Sequence, residues 1–196
     1  MTIATLRRTL SDDGKTIVQV VCDSIALKGN TAHMAQGYNS RMPPKFFYND
    51  DIAVAGSGDL ADGQFFERYL DQNRIDLSGL DKKQRRWKVQ DAWAGFNNWY
   101  SEQVKNFQVD TTFLMAIAGE AYLLGGGGLV AEIESIQAIG AGDEFAIGAM
   151  EAGASALEAA LIAIKCCAYC EEPLHIMTQT TTENGSKVDY TVFQAS

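Results

Sequence analysis

Thr2 stands directly behind Met1, at the head of an apolar, β-branched run, Met1-Thr2-Ile3-Ala4-Thr5-Leu6. Removal of Met1 leaves Thr2 with a free α-amine beside its own hydroxyl, and such an amine can serve as the base for a threonine nucleophile. With Met1 attached, that nitrogen is an amide and the chemistry is lost. Methionine processing tolerates a residue as small as threonine in the second place, so the route to a free amine exists. A second group with chemical potential is Cys166, Cys167 and Cys170 with His175. Cys167 and Cys170 form a C-x-x-C, but no second pair or histidine set at metal-ligand spacing accompanies them. Reduced, partly buried thiols are expected there, with neither metal nor cofactor.

Charge narrows the possible partners. Against 16 Lys and Arg stand 25 Asp and Glu, a net charge of -9 over 196 residues. No basic stripe exists to neutralise phosphates, so nucleic acid is not expected as a ligand. The cationic cluster Lys82-Lys83-Gln84-Arg85-Arg86 lies within a helical pattern and is expected to be a solvated face. Neither a signal peptide nor an apolar run long enough to span a membrane is evident, and a cytoplasmic setting is expected.

The elements that must position Thr2 begin with a hairpin. Ile3 to Thr9 and Thr16 to Cys22 read as strands around the turn Ser11-Asp12-Asp13-Gly14, with Asp23-Ser24 ending the second strand at the Thr2 end. Without other information, Asp23 would be a turn aspartate capping its own backbone. Residues 24–47 are weakly patterned. Pro43-Pro44 enforces extended backbone, so Lys45-Phe46-Phe47 should begin an edge or entry strand. Asp51 to Gly56 is an apolar strand and Gly56-Ser57-Gly58 turns into a helix carrying Phe65, Phe66, Tyr69 and Leu70.

A second helix runs to about Lys105, its Trp87, Trp93, Phe96, Trp99 and Tyr100 spaced as core or subunit interface. Strands at 111–118 and 120–124 precede Gly125-Gly126-Gly127-Gly128, which opens no helix and reads as a flexible hairpin turn rather than a phosphate loop. Ser135 to Gly140 is a further strand, Ala141-Gly142 turns into a helix, and Ser155 with Glu158 forms a capping box for an Ala-rich helix to about Cys167. Leu174 to Gln179 and Val188 to Val192 close the chain as a hairpin. Strands and helices in segregated runs indicate α+β, with helices covering both faces of two packed sheets, in one domain over 1–196.

Ala138-Ile139-Gly140-Ala141-Gly142 followed by Phe145-Ala146-Ile147-Gly148, the apolar strand Ile52 to Gly56 with Gly58-Asp59, and the hairpin ending in Asp23-Ser24 together carry a resemblance. The chain resembles proteasome β-subunits and HslV-like peptidases, N-terminal-nucleophile hydrolases, in the short form found in bacteria and phages. The resemblance implies a four-layer αββα sandwich of two antiparallel sheets. It further implies Thr2 as nucleophile, Asp23 as the organising carboxylate, and Lys45 as the cation that holds down the nucleophile's pKa. An ungapped match to longer members falls on Pro43 instead of Lys45. Backbone N–H groups around Ala141 and Gly142 would stabilise the oxyanion. Homomeric rings, an ATP-dependent unfolding partner or a phage structural partner, and protein or peptide substrates are implied as well, in the cytoplasm or in a phage particle.

This sequence departs from the family at four places. Ala141 replaces a serine of the A-I-G-S-G turn, Cys167 replaces an aspartate, and Glu171-Glu172 replace two glycines. Where family members commonly begin M-T-T-I, this chain has Met1-Thr2-Ile3. If Ile3 keeps its pocket, strand alternation gives the nucleophile's place to Met1 and turns Thr2 to the other face. The departures also fit a member that keeps the fold as a structural or assembly protein without catalysis.

Overall fold

The computed structural model describes residues 2–28, 31–34, 44–104 and 108–194. Two five-stranded antiparallel sheets pack face to face, and β3 (Ile25–Lys28) with β4 (Thr31–Met34) forms a separate two-stranded sheet. In the first sheet the order is β10 (Ile136–Gly140), β1 (Ile3–Leu10), β2 (Thr16–Asp23), β11 (Leu174–Thr182) and β12 (Gly185–Phe193). The second sheet runs β5 (Phe46–Tyr48), β6 (Ile52–Ser57), β7 (Thr112–Ile117), β8 (Glu120–Gly125) and β9 (Leu129–Glu132).

Alternation along each strand determines which layer it feeds. In β2, Val18, Val20 and Cys22 enter the space between the sheets with Ala53, Ala55, Leu114 and Met177, whereas Val21 packs outward under a helix. That outer face is covered by α3 (Asp143–Glu151) and α4 (Ala156–Cys166). On the far side, α1 (Leu60–Gln72) and α2 (Lys82–Gln103) cover the second sheet through an aromatic cluster in which Phe66 lies 5.3 Å from Trp93 and 5.1 Å from Phe113. The result is the expected α+β sandwich, helices–sheet–sheet–helices.

Polar groups tie the layers where burial alone would not fix them. The Gln179 side chain accepts from the Gly119 amide and donates to the Asp51 carbonyl, joining the sheets. Asp62 of α1 accepts from Tyr100 Oη (2.6 Å), Thr111 Oγ1 (2.8 Å) and the Asp110 amide (3.0 Å), locking α1 to α2 and the start of β7. The Ser155–Glu158 capping box stands at the head of α4, and a second box, Asp81–Gln84, heads α2.

The structure adds detail to the sequence reading in three places. Gly126–Gly128 is the expected hairpin turn, built as a 3-10 turn between β8 and β9; the bounds of β9 are not legible in the sequence, because its four residues are partly exposed and show no alternation. The closing hairpin is longer than expected, since polar Thr180, Thr181 and Thr182 continue the ladder to Gly185. The cationic cluster of α2 lies on the solvent side as expected, and it also pairs with acids: Lys82 with Glu132 and Glu134, Arg85 with Glu120, and Arg86 with Glu132. Trp93, Phe96 and Tyr100 are core, while Trp87 lies on the surface under Lys83.

Candidate active site

Ile3 sets the register of the whole site. It pairs with Gly140 on β10, is fully buried, and packs with Ala146, Ala163, Cys167 and Cys170 beneath α3 and α4. Thr5 on the same face donates to the Ala156 carbonyl at 2.8 Å, and Arg7 bonds the Ala154 carbonyl. Ala4 and Leu6 alternate into the space between the sheets. Thr2, buried and next before β1, would fall on the face of Ala4, opposite that of Ile3, if the same alternation continues through it. Met1, whose removal the nucleophile expectation requires, lies outside the described residues.

The main chain of Thr2 is held by the strand-to-helix turn. Its carbonyl accepts from the Ala141 amide at 2.8 Å. Gly140 makes that approach possible: its φ is +103°, and a Cβ there would stand 1.9 Å from the Thr2 oxygen and 3.2 Å from Ser57 Oγ. Gly142, the N-cap of α3, also has little room, a Cβ there meeting Ala163 Cβ at 2.9 Å and Cys170 Sγ at 3.1 Å.

Asp23 and Lys45 come together, although they arrive from different sheets. Lys45 Nζ lies 3.1 Å from Asp23 Oδ1, with side-chain exposures of only 4% and 0%. Lys45 precedes β5, where its carbonyl accepts from the Gly56 amide at 2.8 Å. Asp23 pairs with Leu174, which packs under α4, so the carboxylate belongs to the Ile3 face of the first sheet. Burial pushes its pKa up to about 6, against the smaller lowering effects of the Lys45 charge and hydrogen bond and of the Ile3 and Glu171 amides. Oδ2 is buried with no hydrogen-bond partner among the described residues. Asp23 is thus neither a solvent-side turn aspartate nor a cap, and Lys45 is not a solvated strand lysine. Pro43 lies outside the described residues.

The cysteines border this pair. Cys167 Sγ donates to the Ala141 carbonyl at 3.5 Å, and the Cys170 thiol is pushed up to about 12 by burial first and then by the Asp23 charge. Cys166 is exposed. Among the described residues no cluster of three or more His, Cys, Asp or Glu is arranged to hold a metal. His175 turns away from the cysteines, joining Ser24 (Nε2 to Oγ, 2.6 Å) and Tyr190 (Nδ1 to Oη, 2.7 Å). Its ring and the Ser24 hydroxyl were not singled out as a unit by the sequence; their separation of 151 residues hides the contact.

A model of the proteasome subunit family matches residues 12–175, most of the chain. The chain belongs to the proteasome subunit family. Solved structures of similar fold include Thiobacillus denitrificans BPH in complex with epoxomicin, 17% identical, covering 92% of this chain and 100% of that one at a TM-score of 0.72. HslV from Trypanosoma brucei is 19% identical over 91% of this chain and 98% of its own, with a TM-score of 0.66. An Anbu (Gly-1) mutant from Hyphomicrobium sp. strain MC1 is 11% identical over 100% of this chain and 88% of its own, with a TM-score of 0.68. No curated protein matches the sequence. Among the described residues of this proteasome-family chain, no helix is long and apolar enough to cross a membrane.

Proposed function

We propose that this chain is a proteasome-family assembly subunit that keeps the family's charged frame, Asp23 with Lys45, without delivering the Thr2 hydroxyl to it. The observation that carries this reading is the pairing of Ile3 with Gly140 and the burial of Ile3 on the Asp23 face. Bringing Thr2 onto that face needs a slip of β1 or a bulge at its start; either would shift Ile3, and a one-residue slip would also reverse every side chain behind it. Burial of a side chain such as Ile3 or Leu6 stabilises by about 1.5–3 kcal/mol each, and a slip forfeits several at once. Ala141, with no hydroxyl to support an N-terminal amine, fits the same reading. The subunit would assemble as homomeric rings, with an ATP-dependent unfolding partner or a phage structural partner, in the cytoplasm or a phage particle. The test is intact mass combined with treatment by an electrophile that needs both a free amine and a hydroxyl on one residue. The reading expects no adduct and no turnover of casein or peptides; an adduct at Thr2 would overturn it.

One observation favours a second reading, a threonine-type endopeptidase. A buried ion pair is at best near break-even for stability, so a pure scaffold has little reason to keep Asp23 and Lys45 dry. With Met1 removed, the Thr2 amine would take the proton from its own hydroxyl as Oγ attacks the peptide carbonyl. The Ala141 amide is bound to the Thr2 carbonyl, so the Gly142 amide would serve the oxyanion. The ammonium then protonates the departing amine, leaving an acyl-enzyme that water hydrolyses. No cofactor or metal enters these steps. Peptide turnover that disappears in Thr2→Ala would establish this reading.

A further inference from the structure

His175 touches the residue that follows each member of the ion pair. Ser24, next to Asp23, lies 2.6 Å from its Nε2, and the ring of Phe46, next to Lys45, stacks on the imidazole with centroids 4.6 Å apart. The hydrogen-bond directions around it are fixed by elimination. Ser24 Oγ donates its one hydrogen to the Pro173 carbonyl at 2.7 Å, so it accepts from His175 Nε2–H. Nδ1 is then the acceptor for the Tyr190 hydroxyl at 2.7 Å. All four groups are satisfied with a neutral ring in the Nε2–H tautomer. Burial agrees, holding the imidazole at about 4, well below its usual range.

The chain of bonds ends on the segment that covers Asp23. Pro173 is clamped by Ser24, and two residues earlier the Glu171 amide faces the Asp23 carboxylate. His175 itself lies on β11, opposite Cys22 of β2 and Val192 of β12. One ring thus braces the end of β2, the entry to β5 and the segment before β11. Ser24 is 1% exposed and its proton is committed to Pro173, so the trio is not a second nucleophilic site.

We propose that His175 is the positioning residue of the Asp23–Lys45 pair, aligning the carboxylate through Ser24 and the ammonium through Phe46. This concerns the pair itself and holds whether or not Thr2 reaches it. The test is carboxyl NMR on full-length protein labelled with carbon-13 aspartate, the Asp23 signal being assigned by its loss in Asp23→Asn. Asp23 reports both on water admitted when the covering segment loosens and on loss of Lys45, so its titration midpoint moves if either is disturbed. His175→Phe, which keeps a ring to stack on Phe46 but no nitrogen, is expected to move the midpoint by roughly half a unit or more from that measured for the wild type. His175→Gln retains a donor at Ser24 and is expected to stay within that margin. Ser24→Ala, a small change at the same bond, should move the midpoint as His175→Phe does, and supplies the comparison if the phenylalanine variant fails to fold. A midpoint unchanged in Ser24→Ala, or displaced equally in His175→Gln, would overturn the proposal.

Discussion

Lys45 Nζ and Asp23 Oδ1 meet at 3.1 Å across the boundary between the two sheets, in a place from which water is almost fully excluded. Loss of Lys45 takes from the buried Asp23 carboxylate the charge that faces it. Lys45→Met is therefore expected to cost about 3–5 kcal/mol, read from urea unfolding at neutral pH. Adding Asp23→Asn should recover part of that loss, because the orphaned carboxylate is removed as well. A Lys45→Met protein as stable as wild type would place the pair in water.

Register makes a gain-of-function prediction. Inserting one threonine between Met1 and Thr2 restores the M-T-T-I beginning while leaving Ile3 opposite Gly140. Once the methionine is removed, the new threonine stands two residues before Ile3, an even offset, and shares the face of Asp23. The insertion variant is expected to react with the amine-and-hydroxyl-directed electrophile, and the wild type not. Mass spectrometry of the adduct checks this, and equal labelling of both proteins would contradict the register argument.

Two buried groups give opposite pH dependences over the same range. Folded Asp23 keeps its proton up to about pH 6, whereas the unfolded chain loses it near 4, so its contribution is full below about pH 4 and is lost as pH rises through about 6. Folded His175 stays neutral down to about pH 4 although the unfolded ring charges near 6.5, so its contribution is full above about 6.5 and is lost as pH falls toward 4. Each amounts to about 3 kcal/mol at full extent, and in the wild type they largely offset. Asp23→Asn should therefore lose stability on acidification from pH 6.5 to 4, and His175→Gln should gain it. Urea midpoints at several pH values read the slopes; parallel profiles for all three proteins would refute the assignment.

Gly140 is the position least able to accept a side chain. Its φ of +103° and the 1.9 Å approach of the Thr2 oxygen to a built Cβ mean that Gly140→Ala must displace the start of β1. A loss of more than about 2 kcal/mol is expected by denaturant titration, since strain and a disturbed main-chain contact act together. Gly148→Ala, where a Cβ meets nothing within 4 Å, is the control and should be neutral or mildly stabilising.

Most of the architecture was legible in the chain. The β1–β2 hairpin follows from period-two runs around Ser11 to Gly14, α4 from its capping box and alanines, and the edge position of β5 from Pro43-Pro44. The bounds of β9 escaped because a short, partly exposed edge strand carries no periodic signal. The site was legible in pieces. Thr2, Asp23 and Lys45 could be named from a resemblance, but nothing in their spacing shows whether they meet.

By itself the sequence determined the alternating strands, the caps and the helix-facing stripes, because those depend on neighbours within a few positions and on local backbone preference. It also shows Met1-Thr2-Ile3 where family members commonly have M-T-T-I. Only the tertiary structure decided that Ile3 keeps its pocket opposite Gly140, that Lys45 reaches Asp23, and that His175 braces both through Ser24 and Phe46. Those contacts join segments 22 to 151 residues apart, and they exist because two sheets burying one shared apolar layer bring their strand ends to the same place.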